Sequence, residues 1–173
     1  MKLIMENWRK HLNEEITITI GRAKRTPTFA PCFQGKENVF KPLLGKTLEI
    51  IEAVINKDVD DWPQTIECMT EEEIKAGEEE GGGHGLYVGD EKKIKINQSM
   101  DPFNIYLNFI HENFHHARPD LAGPKYSSAH RHIEINESLM KQVVDHILFY
   151  INQSEEIEEQ IPNSFILALE EYE

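Results

Sequence analysis

The sequence is short of basic residues. Its 173 residues include 18 Lys and Arg against 31 Asp and Glu, which gives a formal net charge of −13 at pH 7. Proteins that bind a nucleic-acid backbone place clusters of Lys and Arg against its phosphates. The charge balance therefore argues against a nucleic-acid partner. The one compact basic cluster, Arg22, Lys24 and Arg25, is expected to lie in a solvated loop.

Long apolar runs and cysteines are also scarce. No segment has the roughly 20 consecutive apolar residues of a membrane-spanning helix, and Met1 to Leu12 lacks the hydrophobic core of a signal peptide. The two cysteines, Cys32 and Cys68, form neither a C-x-x-C pair nor a metal-ligand pattern. We expect a cytoplasmic protein with no membrane partner and with reduced thiols; a disulfide is the alternative.

The sequence does contain a motif with clear chemistry. His111, Glu112 and His115 spell H-E-x-x-H. In a helix this spacing puts the two imidazoles one turn apart on one face, with the carboxylate beside them. A catalytic zinc ion takes three protein ligands and leaves the fourth position to water. His111 and His115 are therefore predicted zinc ligands, and Glu112 is the predicted general base.

The helix around this motif has a predicted start. Pro102 suits the first helical position, and Asp101 before it suits the N-cap. No helix breaker follows before the motif. We therefore expect a continuous helix that carries both histidines.

A second helix offers a candidate third ligand. Apolar residues recur at helical spacing from Ile133 to Ile151, and Glu137 falls inside this stripe. A buried carboxylate needs a partner, so Glu137 is predicted to bind the zinc. Glu134 is the second choice, and His130 and His132 come third. An ion pair with a Lys or Arg is the alternative role for Glu137.

The region from Gly85 to about Ile151 resembles a known family. Gly85-Leu86-Tyr87-Val88 and Lys93-Ile94-Lys95-Ile96-Asn97 form a predicted strand hairpin ahead of the motif. This order is similar to gluzincin-type metallopeptidases, the thermolysin-like enzymes and, more closely, the small ImmA/IrrE-type zincins. In those families a glutamate on a following helix completes the site, and Ile135 to Ser138 resembles that segment. The resemblance implies a polypeptide substrate that adds to the strand bordering the cleft; either strand of the hairpin can form that border.

We therefore expect an α+β, zincin-like fold in which a small twisted sheet carries packed helices, including an active-site helix and a third-ligand helix. Residues 15–173 would form this single domain, after an amphipathic segment at residues 1–14. That segment also resembles the N-terminus of tailed-phage proteins, which would imply a phage-encoded, virion-associated protein. Other predicted elements are a strand at 15–20, a helix at 39–55, a strand at 65–69, a solvated acidic stretch at 71–80, a crossover loop at 118–129 and a short closing helix at 165–169.

The predicted function is hydrolysis of peptide bonds by a zinc-activated water. Tyr126, Arg131 and His132 are the candidates for stabilising the oxyanion of the transition state. Two other interpretations remain open. In one, a non-catalytic zinc ion holds the helices together, so that folding depends on metal. In the other, the chain is a metal-free helical interaction module with an acidic binding face.

Overall fold

The computed structural model describes residues 26–79, 84–119 and 129–172, with residues 129–136 described by their backbone alone. These ranges form an α+β fold. The strands are β1 (Thr28–Phe29), β2 (Thr65–Cys68), β3 (Gly85–Val88) and β4 (Lys93–Ile96). The helices are α1 (Leu44–Ile55), α2 (Glu71–Glu79), α3 (Pro102–Ala117), α4 (Ala129–Gln153), α5 (Glu155–Gln160) and α6 (Asn163–Glu170). The predicted segment at 1–14, the strand at 15–20 and the basic cluster lie outside the described residues.

The four strands form one mixed sheet in the order β1-β2-β4-β3. β1, β2 and β4 are parallel neighbours, whereas β3 runs antiparallel to β4 with Gly85 opposite Ile96 and Val88 opposite Lys93. The predicted hairpin is thus confirmed. Its first strand, β3, occupies an edge of the sheet.

The two faces of the sheet differ as the alternating sequence of β4 requires. Ile94 and Ile96 are fully buried against the helices. Lys95 points to the opposite face, where its Nζ lies 2.6 Å from a carboxylate oxygen of Glu73 on α2. None of the α2 residues is buried, so the acidic stretch forms the predicted solvated face, in a helical conformation.

The core lies between the sheet and helices α1, α3, α4 and α6. α3 packs against β3, β4 and α1, and α4 packs against α1 and α6. The apolar stripe predicted along α4 is buried from Met140 onward. The largest fully buried side chains are Tyr106, Phe33, Phe40, Phe109, Phe114, Leu43, Leu44, Leu48, Ile51, Ile66, Ile94 and Ile96. None of the described helices is long and apolar enough to cross a membrane.

The start of α3 is fixed by its cap, as predicted. The Asp101 carboxylate accepts hydrogen bonds from the backbone amides of Phe103 at 3.0 Å and Asn104 at 3.1 Å. These amides have no partner inside the helix. At the other end, Lys57 Nζ donates to the carbonyl of Ala117 at 2.8 Å. Both ends of the helix are therefore held, which fixes the position of the motif between them.

The prediction that the cysteines are reduced is wrong. Cys32 and Cys68 form a disulfide, with their Cα atoms 6.4 Å apart. Parallel pairing of β1 with β2 places Phe29 opposite Ile66, and the turn at Pro31–Phe33 then brings Cys32 beside the end of β2. The cysteines are 36 positions apart in the sequence and gave no pattern, because strand pairing and not local spacing brings them together.

Candidate metal-binding site

His111 and His115 converge on one point. They lie one turn apart on α3, and their Nε2 atoms are 2.8 Å apart. The two rings meet edge to face, with centroids 4.5 Å apart. Two nitrogens that each bind one zinc ion at about 2.0–2.1 Å must lie within about 4.2 Å of each other. The pair meets this condition, but its 2.8 Å separation is that of a hydrogen bond between the rings, and a tetrahedral zinc ion would hold the two nitrogens about 0.5 Å further apart.

The protonation of His111 also suits a metal ligand. Burial and the neighbouring charge of His115 lower the pKa of His111 to about 4. At neutral pH its ring is therefore uncharged. A neutral imidazole is the form of histidine that binds a metal ion.

Glu112 is a buried carboxyl group beside the two histidines. Its side chain is 5 % exposed, and burial raises its pKa to about 8, although a hydrogen bond from the backbone amide of Tyr87 acts in the opposite direction. A carboxyl group whose pKa lies near the working pH can both accept and return a proton. The structure thus places a buried carboxyl group beside the two histidines, and its role as the general base stays a prediction.

The backbone of β3 passes very close to Glu112 because residue 85 is glycine. A Cβ atom at Gly85 would lie 2.5 Å from Glu112 Oε1 and 3.0 Å from its Cγ. Any larger residue would push the strand or the carboxylate away. The strand and the helix border an open cleft of about 250 Å³, lined by Gly85, Leu86, Tyr87, His111, Glu112 and His115.

The edge position of β3 decides which backbone groups face this cavity. The amide of Asn97 donates to the carbonyl of His84 at 2.9 Å. Bonded and non-bonded pairs alternate along an antiparallel ladder. Leu86 and Val88 are therefore bonded to β4, whereas the amides and carbonyls of Gly85 and Tyr87 point away from it. This answers the question left open by the sequence: β3 is the strand that borders the cleft.

Tyr87 and His116 belong to the site but were not among the predicted functional residues. The Tyr87 hydroxyl lies 2.9 Å from His116 Nδ1, and His116 Nε2 lies 3.4 Å from Asp61 Oδ1. Asp61 also pairs with Lys92 in the hairpin turn. Side chains alternate along β3, so residues 85 and 87 lie on the same face. This alternation could have identified Tyr87 as a residue of the site. No spacing could link His116 to Asp61.

The predicted third ligand, Glu137, does not join the histidines in this structure. Its side chain is exposed, so the expectation that it is buried is wrong. Burial raises the pKa of Tyr172, and the negative charge of Glu137 raises it further. The Glu137 carboxylate therefore lies on the side of α4 that faces the C-terminal residues. Within the described residues, no group of three His, Cys, Asp or Glu side chains is arranged to hold a metal ion.

The other candidates cannot be placed. The side chains of His130, Arg131, His132 and Glu134 and the whole of Tyr126 lie outside the described part of the chain. The structure therefore brings together His111, Glu112 and His115 and leaves the third ligand and the oxyanion-stabilising residue as predictions.

Comparison with known proteins adds no assignment. No protein-family model matches the chain, and neither the curated proteins nor the solved structures give a significant match. The gluzincin resemblance therefore rests on the sequence motif and on the hairpin that precedes it.

Proposed function

We propose that the chain is a zinc-dependent metallopeptidase. The observation that carries this proposal is the convergence of His111 Nε2 and His115 Nε2, 2.8 Å apart, beside the buried Glu112 in a cleft bordered by an edge strand. Zinc, when bound, would lower the pKa of a water molecule and polarise the carbonyl of the scissile bond. The two histidines fit this metal by ligand type and by their spacing on the helix, and His111 fits it also by its neutral ring.

Glu112 would act on the proton of the attacking water. As a carboxylate it would take that proton, and it would then return it to the leaving amine. Hydrolysis adds water across the C–N bond, so the carbonyl carbon gains a hydroxyl and the nitrogen gains the proton. Burial beside the histidines keeps the carboxyl group poorly solvated, which strengthens its interaction with any nearby charge.

The substrate would be an extended polypeptide. Gly85 presents an amide and a carbonyl to the free edge of β3, and an added strand pairs through such groups regardless of its side chains. The amide of Tyr87 is occupied by Glu112, so Gly85 is the main backbone contact at this end of the strand. Binding of this kind selects for extended backbone, and specificity would come from the walls of the cleft.

For the third zinc ligand we retain Glu137 as the first proposal, with Glu134, His130 and His132 as alternatives. The exposed position of Glu137 removes the argument from burial, while its place on the helix that follows the motif is unchanged. Alanine variants at Glu137 and Glu134 would separate these choices, because only the true ligand would lower zinc affinity.

The test is cleavage of a peptide library by the full-length, zinc-loaded protein, compared with a Glu112→Gln variant. We expect wild-type cleavage and a loss of about 10²–10⁴-fold in the variant, which is the usual contribution of a general base. Zinc content should be the same in both proteins. Glu78→Gln, which makes the same chemical change on the exposed α2, is the control. Equal cleavage by wild type and Glu112→Gln would exclude Glu112 as the base.

A second candidate is a non-catalytic zinc protein. One observation favours it: Glu112 also joins β3 to α3, since its carboxyl group faces the Tyr87 amide and packs against Gly85. Under this interpretation zinc binds to wild type and to Glu112→Gln, neither protein cleaves any peptide, and removal of zinc reduces the cooperativity of unfolding.

A further inference from the structure

A chain of polar contacts ties the end of α3 to the hairpin. The Tyr87 hydroxyl lies 2.9 Å from His116 Nδ1, and their rings meet edge to face with centroids 5.4 Å apart. On its other side, His116 Nε2 lies 3.4 Å from Asp61 Oδ1. If the tyrosine donates to Nδ1, the imidazole carries its proton on Nε2, which faces the Asp61 carboxylate. Nε2 itself forms no hydrogen bond among the described residues, so the Tyr87 hydroxyl is the hydrogen-bond partner of this ring.

His116 is well placed to act as a fixed anchor. It is 8 % exposed, and the Trp62 ring packs beside it with a centroid separation of 5.7 Å. It occupies the last turn of α3, whose terminal carbonyl at Ala117 is held by Lys57. β3, by contrast, has four residues and, among the described strands, is bonded to β4 alone. The hydroxyl of Tyr87 therefore joins a weakly held strand to a firmly held helix end.

The backbone of the same residue contacts Glu112. The Tyr87 amide points away from β4, because Leu86 and Val88 provide the bonded pairs of the ladder. That amide faces the Glu112 carboxylate and lowers its pKa, and the strand touches the same carboxylate at Gly85, where a Cβ atom would lie 2.5 Å from Glu112 Oε1. One residue thus contacts His116 through its side chain and Glu112 through its backbone.

We propose that Tyr87 and His116 are positioning residues: the bond between the Tyr87 hydroxyl and His116 Nδ1 fixes β3 so that the Tyr87 amide holds the Glu112 carboxylate in place. This inference rests on the proposed function, since it assigns Glu112 a role as base. The strand can shift very little towards Glu112, because β3 already lies so close to it that Gly85 has no room for a Cβ atom. A shift of the strand would therefore move the carboxylate.

The test is amide hydrogen exchange of the full chain, followed by NMR, in wild type, Tyr87→Phe and His116→Phe. Each variant removes one partner of the bond and keeps an aromatic ring. The amide of residue 87 should exchange about two- to tenfold faster in both variants, because it loses its contact with the Glu112 carboxylate. The amides of Leu86 and Val88, which are bonded to β4, should keep their protection. Tyr150→Phe removes a hydroxyl from a partly buried tyrosine on α4 and is the matched control.

Activity gives a second readout. On a peptide that wild type cleaves, Tyr87→Phe should lower kcat by about 10–100-fold, as expected for a displaced catalytic group, and change KM by less than about twofold. Unchanged exchange at residue 87 in either variant, or an unprotected amide there in wild type, would overturn the inference. If the amide results hold but wild type cleaves no peptide, the anchoring contact stands and the proposed function fails.

Discussion

The two halves of α3 handle buried polar groups in different ways. In the first half, the Asp101 carboxylate accepts hydrogen bonds from two backbone amides. The hydroxyl of the fully buried Tyr106 lies 2.7 Å from Thr47 Oγ1. In the second half, burial raises the pKa of Glu112 to about 8. Asn113 Oδ1 is buried there without a hydrogen-bond partner. In one helix, therefore, the polar groups of the first half form hydrogen bonds, whereas buried polar groups of the second half are poorly solvated or lack a partner.

This difference separates stability from function along a single element. Buried polar groups that lack good partners reduce the free energy of unfolding. Proteins retain such groups mainly at functional sites. The first half of α3 fixes the helix in the fold, so that the second half can hold a poorly solvated carboxyl group and two converging histidines.

Gly85→Ala should have the largest effect on the contrast between the two halves of α3. The new Cβ atom would lie 2.5 Å from Glu112 Oε1, so β3 or the carboxylate has to move. We expect a loss of about 1–3 kcal/mol in the free energy of unfolding, as for other overpacked sites. Peptide cleavage should fall by about 100-fold, since the base is displaced. Denaturant unfolding and cleavage assays measure the two effects.

Gly89→Ala is the control for this variant. A Cβ atom at Gly89 would meet Tyr87 Cε1 at 3.7 Å, an ordinary van der Waals distance. Stability and cleavage should therefore stay close to wild type. Equal behaviour of the two alanine variants would contradict the close contact between β3 and Glu112.

The pH dependence of stability tests the second half of α3. In the metal-free protein the pKa of Glu112 is raised from 4.5 to about 8, so the folded state binds this proton more tightly than the unfolded state does. Its contribution to stability is complete at low pH and is lost as pH rises towards 8. We expect the free energy of unfolding to fall by about 1 kcal/mol between pH 7 and pH 8.

The Glu112→Gln variant should lack this decrease, because an amide does not titrate. The titration of His111 does not contribute to the change in stability between pH 7 and pH 8. Its pKa is lowered from 6.5 to about 4, so its effect is a loss of stability on acidification, from pH 6.5 downward. Urea titrations of both proteins at pH 7 and pH 8 give the comparison, and parallel changes would show that Glu112 is not the group responsible.

The smallest effect is expected in the first half of the helix. Asp101→Ala removes the cap from the amides of Phe103 and Asn104. The free energy of unfolding should fall by about 0.5–1 kcal/mol. Zinc content and the pH dependence assigned to Glu112 should not change. A thermal melt with a zinc assay measures both, and loss of zinc in this variant would mean that the two halves are not separable.

Several parts of the fold and the site could be predicted because they depend on local sequence. The N-cap at Asp101, the hairpin ahead of the motif and the pairing of His111 with His115 follow from spacings of a few residues. Alternation in β4 likewise predicts which of its residues are buried. In each case the physical cause lies within one element or one turn.

The errors concern contacts between distant segments. The disulfide of Cys32 with Cys68 depends on the parallel pairing of β1 and β2. The burial of Glu137 was inferred from periodicity, which identifies a face of α4 but not how far the neighbouring elements cover it. Met140 is the first buried residue of that face among the described side chains, and Glu137 lies one turn before it. The contact of His116 with Asp61 was out of reach for the same reason.

The most direct test of the central claim is the zinc content of the purified full-length protein, measured by elemental analysis for wild type, His111→Ala and His146→Ala. His146 lies on α4, and its ring contacts the carbonyl of Gln142 one turn earlier, so its loss controls for removal of a histidine. We predict one zinc ion per chain in wild type and His146→Ala, and a large loss in His111→Ala. Absence of zinc from wild type after dialysis against zinc, or full zinc content in His111→Ala, would contradict the account.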